Sequence, residues 1–101
     1  MPQLTRPQAE SAVRQRGYAN ITYWEDPAGT YYPPHTHPVA NTHLIMSGSM
    51  RVKFPQRQSD EREVEFGGGE WVDVNKDETH EVWVGERGCK MVIGEKSAEE
   101  T

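Results

Sequence analysis

Cysteine is nearly absent from this sequence, with Cys89 as the single thiol. A lone cysteine excludes an internal disulfide and a zinc ribbon built on paired thiolates. Long apolar runs are missing too: none approaches the roughly 20 residues that a membrane helix needs. The opening MPQLTRPQAESAVRQ has no apolar centre of the kind a secretory signal carries, so a cytoplasmic location is the default expectation. Basic residues are few and scattered. Lys and Arg number 11 against 16 Asp and Glu, for a net charge of −5. No stripe is available to neutralise phosphates, which sets nucleic acid aside as a partner.

What is present suits one domain with one small core: 101 residues, 34% hydrophobic and 27% charged. Neither an internal repeat nor a second domain is visible. The chain divides into an N-terminal helical segment at 1–17, a β domain at 18–95 and a polar tail at 96–101. Thr5 is a plausible N-cap, Gln8 stands three residues on, Pro7 lies in the first turn and Gly17 follows the last periodic residue. Leu4 and Ala9 are spaced as a weak hydrophobic staple across that cap. These signals predict a helix over 6–16 whose modest apolar face, Ala9, Ala12 and Val13, lies on the surface of something else.

From Tyr18 onward, short runs of Val, Ile, Thr, Tyr and Trp alternate with Gly, Pro, Asn and Asp clusters. Strands are predicted at 20–25, 30–37, 41–46, 49–55, 61–66, 70–74, 79–85 and 89–94. The links include DPAG, SGS, NKD and GERG. Alternation in MRVKF and REVEF turns Val52, Phe54, Val64 and Phe66 inward. Eight short strands with tight links point to an antiparallel sandwich or barrel.

Three of the four histidines, His35, His37 and His43, fall within nine residues. Residues i and i+2 of a strand share a face about 6.5 to 7 Å apart, so His35 and His37 could converge on one ion. A solvated edge strand is the plain alternative. On a strand at 41–46, Asn41, His43 and Ile45 share one face, and Leu44 and Met46 the other. The Asn41 amide oxygen or the His43 imidazole could then meet the first pair, unless His43 is simply a packed core histidine. Among the aromatics, Tyr23, Tyr31 and Trp71 are candidates for the mouth of a pocket, against the alternative that they only pack. Cys89 shares a face with Met91 and Ile93, and a buried, inert thiol is expected.

Spacing joins His80 to this group. Gly29 is followed after five residues by His35, then by His37, Asn41 and Gly48 at gaps of one, three and six. Gly69 is followed after five residues by Asn75, then by Asp77, His80 and Val84 at gaps of one, two and three. This resembles the two motifs of the cupin superfamily, which read Gly, His-x-His, Glu, Gly and then Gly, Pro, Gly, His, Asn. The match runs from residue 29 to 84 without an insertion. Asn41, Asn75, Asp77 and Val84 depart from it, and Asn41 removes the one anionic ligand.

The resemblance implies a small single-domain cupin, an antiparallel jelly-roll β-barrel with one short N-terminal helix outside. It implies that His35, His37 and His80 hold a divalent transition metal: Fe, Mn, Zn, Ni or Cu. Asn41, His43 or water would take the fourth position, and an unliganded His43 could serve as general acid or base. Neutral ligands leave the full charge of the ion uncompensated, which favours a small, anionic ligand or substrate. Glu78, in the turn, and Glu81, facing away, are not expected as ligands. Leu44 and Met46, if exposed, form an apolar patch that a partner subunit could cover; small cupins commonly dimerise through such a sheet face, so a homodimer is what the resemblance implies. Metal-dependent chemistry follows, oxygenase-type first and isomerase or lyase next. A non-catalytic metal-binding or sensor barrel is the alternative, and a scaffold with a vestigial site is a third.

Overall fold

The computed structural model describes residues 4–57 and 63–97. Its one helix, α1, runs Arg6–Gln15. Thr5 Oγ1 accepts from the Gln8 N–H at 3.2 Å, and Gln8 Oε1 accepts from the Thr5 N–H at 2.9 Å. Two otherwise orphaned donors are thereby satisfied, so the helix starts where the capping residues say it should. Gly17, at φ +93°, takes the left-handed conformation that ends it.

Six antiparallel strands follow: β1 Asn20–Asp26, β2 Tyr31–His35, β3 Asn41–Lys53, β4 Val64–Gly67, β5 Trp71–Val74 and β6 His80–Glu95. The long β3 and β6 pair with each other and form the spine. On the outer edge of β6, β2 covers the first half and β1 the second. On the outer edge of β3, β5 covers the first half and β4 the second. A spine with two strands along each side gives the jelly-roll architecture.

Eight predicted strands became six because SGS and GERG are not chain-reversing links. β3 runs straight through SGS, with register shifts against β6 between Ile45 and Ser47 and between Gly48 and Met50. Gly48 sits at φ +78°, and a Cβ there would lie 2.0 Å from the Gly88 carbonyl oxygen. Glycine at this position lets two strands approach and bend; it does not turn the chain. Across from it, residues 85–88 of β6 face Ser49 alone, since Gly48 pairs with Cys89 and Met50 with Val84. The excursion is a bulge inside one strand.

The other departures are smaller. β2 stops at His35 and not at residue 37, because Pro33 and Pro34 bring no N–H to the ladder and the register slips between Tyr32 and His35. Of the strand predicted at 61–66, residues 61 and 62 lie outside the described residues, as do 98–101 of the polar tail.

The barrel interior packs Ile45, Met50, Val52, Phe54, Val82 and Met91, with Cys89 among them. Phe66 packs against this group, whereas Val64, the first residue of β4, is left exposed and not turned into the core as predicted. A second cluster lies outside the sheet, where Ala9 and Val13 of α1 cover Leu44 and Val92. All four are at most 2% exposed, and full burial of a Val or Leu side chain contributes roughly 1.5 to 3 kcal/mol. Met46 and Trp71 flank the same cluster. The face on which a partner subunit was expected is therefore covered by the chain's own helix. Among the described residues, no helix is long and apolar enough to cross a membrane.

Candidate metal centre

His35 ends β2 and His80 begins β6, and the two are direct partners across that ladder. His37 arrives by a different route, from the 36–40 segment that follows β2. Its carbonyl accepts the Asp77 N–H at 2.8 Å, which ties this segment to the NKD turn. Asp77 stands at φ +58°, a conformation that Asp tolerates and most residues do not. The same turn delivers His80. Pleating thus places His35 and His80 together, and loop-to-turn pairing adds His37.

The three rings meet. Centroids are 4.1 Å apart for His35 and His80, 5.0 Å for His35 and His37, and 5.1 Å for His37 and His80. One nitrogen from each lies within 4.8 Å of the other two, so the group could hold a metal ion. His35 Nδ1 contacts the Pro33 carbonyl at 2.7 Å and His80 Nδ1 contacts the Glu78 carbonyl at 3.1 Å. A carbonyl can only accept, so both Nδ1 atoms carry the proton and both Nε2 lone pairs are free for ligation. Burial holds the pKa of His80 below its ordinary value, helped by the His35 charge. Burial lowers His37 likewise, with His35 contributing again. Neutral imidazole is the form a metal needs.

The two fourth-ligand candidates sit differently. Asn41 is buried, its Nδ2 donates to the Val39 carbonyl at 3.3 Å, and its Oδ1 is buried with no hydrogen-bond partner among the described residues. A buried amide oxygen without a donor is a group that a cation or water could satisfy. His43 lines the cavity beside the triad but does not join the ligand cluster. Burial, reinforced by the charges of His80 and His37, pushes its pKa down to about 4. Its Nδ1 is also buried without a partner among the described residues. Both orphans fit a site designed for a further group.

The triad opens on a cavity of about 320 Å³ with apolar walls from Met50, Val52, Val72, Val74, Val82 and Met91. That volume is at the small end of ligand pockets. Of the aromatics expected at its mouth, none lines it. Tyr23 and Trp71 pack outside with α1, beneath the guanidinium groups of Arg6 and Arg16 at 4.5 and 3.7 Å. Tyr31 lies exposed against Trp83 at 5.8 Å and donates to Glu81. The aromatics that line the cavity are Trp24 and Tyr32, each one residue from an expected position. In a strand, a shift of one residue exchanges inside for outside.

Asp26 is the functional candidate that sequence reasoning missed. It closes β1, is 9% exposed and is the only carboxylate lining the cavity among the described residues. Reading DPAG as a turn placed it outside the strand, and nothing local marks it as inward-facing. Cys89 is buried nearby, and desolvation with the Asp26 charge pushes its pKa up to about 12.

No family model matches the chain, and no curated protein matches it in sequence. Solved structures do. A cupin superfamily protein from Desulfitobacterium hafniense DCB-2 superposes with TM-score 0.63 at 14% identity, covering 80% of this chain and 70% of that one. The polyketide cyclase RemF from Streptomyces resistomycificus gives 0.62 at 24% identity, over 76% and 54% of the two chains. An oxalate oxidase gives 0.65 at 19% identity, over 77% and 41%. This chain thus spans about half the length of the two enzymes. The fold is the cupin barrel.

Proposed function

We propose that this barrel is a metal-dependent enzyme acting on a small organic molecule, with oxygenase-type chemistry first and isomerase or lyase chemistry next. One observation carries the reading: three imidazoles meet at an apolar cavity, two of them with Nε2 freed by carbonyls on Nδ1. His35, His37 and His80 would hold the ion, and Asn41, His43 or water would take the fourth position, Asn41 Oδ1 and His43 Nδ1 both being buried without a partner among the described residues. Imidazole donors suit Fe, Zn, Ni and Cu, with Mn also in range. When bound, such an ion acts as a Lewis acid toward substrate oxygens and, where redox-active, supports dioxygen chemistry.

The chain's own residues supply the surroundings. Neutral donors leave the ion's charge uncompensated, so an anionic substrate oxygen is favoured at that place. The valine and methionine walls give the cavity an apolar lining, which strengthens electrostatic contacts made against it. His43, neutral near pH 7, adds a polar group without adding charge. The likeness to a polyketide cyclase and an oxalate oxidase supports the fold's capacity for such work and names no substrate here. A homodimer would need a face other than that of Leu44 and Met46, which α1 occupies.

The test is elemental analysis of tag-free protein purified without chelator, beside His80→Ala. About one equivalent of metal in the parent, lost in the variant, is the expected result. Protein that arrives empty and takes up no offered ion overturns the reading. Metal uptake with no turnover on any tested acid or sugar derivative would leave a binding barrel.

A further inference from the structure

We propose that Asp26 is a ligand-selecting residue of this cavity, binding small molecules that present an O–H or N–H donor on an apolar body. The inference rests on the reading of the cavity as a substrate site and adds the class of molecule it takes.

A buried carboxyl group must be compensated by donors or a cation. Asp26 is nine-tenths buried and meets no cation among the described residues; its partners there are two neutral donors. Trp24 Nε1–H donates at 2.9 Å and Tyr32 O–H at 2.6 Å, and both reach the same oxygen, Oδ1. No hydrogen bond reaches Oδ2 from the described residues. One oxygen is therefore fixed by a donor from its own strand, β1, and one from β2, which sets the orientation of the carboxylate plane, and the other is left as an acceptor.

The surroundings define the guest. The walls are apolar, so the body of the molecule is apolar as well. Trp24, 49% exposed, lines the cavity and also reaches solvent, which puts an aromatic surface at its opening. An acceptor with free lone pairs in such a place discriminates strongly. A site built to receive an O–H or N–H rejects the analogue that lacks it, because the acceptor is then left unpaired.

The experiment uses toluene, benzyl alcohol and benzylamine as probes, none of which depends on a bound metal. They are titrated into ¹⁵N-labelled full-length protein, followed at the Trp24 indole N–H, which Trp24→Phe identifies among the three indoles. The wild type is expected to bind the alcohol or the amine at least about tenfold more tightly than toluene, with the Trp24 indole resonance moving. Whichever of the two binds better assigns hydroxyl or ammonium as the donor. In Asp26→Asn the preference disappears while toluene affinity stays and the melting temperature does not fall. That variant keeps an acceptor for Trp24 and Tyr32 and replaces Oδ2 with a donor.

Equal binding of all three probes, binding of none, or a preference that survives in Asp26→Asn overturns the proposal. A large loss of melting temperature in Asp26→Asn also overturns it, by showing a structural role. Metal content, measured on the same samples, separates the two readings. Metal without donor preference removes this inference alone, and preference without metal removes the enzyme reading alone.

Discussion

Replacing Arg57 with alanine is expected to destabilise the protein well beyond what a surface charge pair is worth. Arg57 follows β3, and its Nε and Nη2 donate to the two oxygens of Glu78 at 2.7 and 2.8 Å. Nη2 also donates to the Asp73 carbonyl at 3.0 Å, and the guanidinium lies 3.6 Å from the centre of the Phe54 ring. The Glu78 side chain is only 8% exposed and that of Arg57 38%. The next contact leads to the site, because the Glu78 carbonyl receives the His80 Nδ1 proton. Gln56 Oε1 accepts the Thr79 N–H at 2.9 Å, and Phe54 stacks on His80 with ring centres 6.3 Å apart. The turn after β3 therefore clamps the turn that delivers a metal-ligand candidate.

The magnitude follows from burial. Removing one member of a fully buried ion pair costs about 3 to 5 kcal/mol, but water can reach the space left by a partly exposed arginine. Glu78 also keeps the Asn75 N–H at 3.2 Å. A loss of about 2 kcal/mol is expected, which for a chain of this size lowers Tm by about 10 °C. Arg51→Ala is the control. Its pair with Glu63 is half-exposed on both sides, and such pairs contribute about 1 kcal/mol or less. Arg57, first among several causes, holds the Glu78 pKa below its ordinary 4.5. A depressed carboxylate stabilises the fold above its unfolded pKa and stops doing so as pH falls through the folded one. The gap between parent and Arg57→Ala should thus be open at pH 7 and close below about pH 4.5. Equal Tm shifts for the two arginine variants, or a gap that persists in acid, would refute the clamp. Metal affinity should also fall, by about tenfold, as it does when the orientation of a ligand histidine is loosened.

Chelator-treated protein should lose stability between pH 6.5 and 4 as His43, lowered to about 4, stays neutral when folded and protonates when unfolded. At about 1.36 kcal/mol per pKa unit the loss is on the order of 3 kcal/mol, and His43→Gln should flatten the slope by about one proton in pH-dependent denaturation. Cys89, with its pKa near 12, should react with iodoacetamide at pH 8 at least about a hundredfold more slowly in the native than in the unfolded protein; equal rates would contradict its burial. Gly48→Ala should cost about 3 kcal/mol or more, since the new Cβ meets the backbone of Gly88. Gly29→Ala, also at positive φ but with open space around it, should cost only about 1 kcal/mol in the same urea titration.

Local chemistry was legible in the sequence wherever one segment decides the outcome. Thr5 and Gln8 mark the start of α1 because capping satisfies donors within four residues. The spacing that resembles cupin motifs brought His80 to His35 and His37 although the sequence separates them by more than forty residues. Pairing across the sheet was not legible. SGS has turn composition, and only the Gly88 carbonyl opposite Gly48 makes it a bulge. Likewise, Leu44 and Met46 read as an open patch because no local signal tells which sheet face receives α1. The pair Tyr31 and Tyr32 shows the same limit at a finer scale, since the prolines after them hide which ring points inward.

The exchange at position 41 acquires a different meaning once Asp26 is included. The resemblance puts a glutamate there, beside the ion, and this chain has Asn41 instead. Three imidazoles and an amide oxygen carry no charge, so the ion would keep its full positive charge toward the cavity. The carboxylate that the cavity does contain comes from β1, held by Trp24 and Tyr32 and absent from the ligand cluster. With an ion on the triad, negative charge would sit on the cavity wall and not among the metal's ligands. A molecule in this cavity would then meet a cationic centre that attracts oxygen and an anionic acceptor that attracts O–H or N–H. Opposite demands within 320 Å³ orient a guest far more strictly than either alone, because a reversed guest loses both contacts. Restoring the glutamate tests this directly. Asn41→Glu should tighten metal binding, since it adds charge to the ligand set, and weaken anionic guests, since it cancels part of the ion's field. Tighter binding of both metal and anion would refute the division of charge argued here.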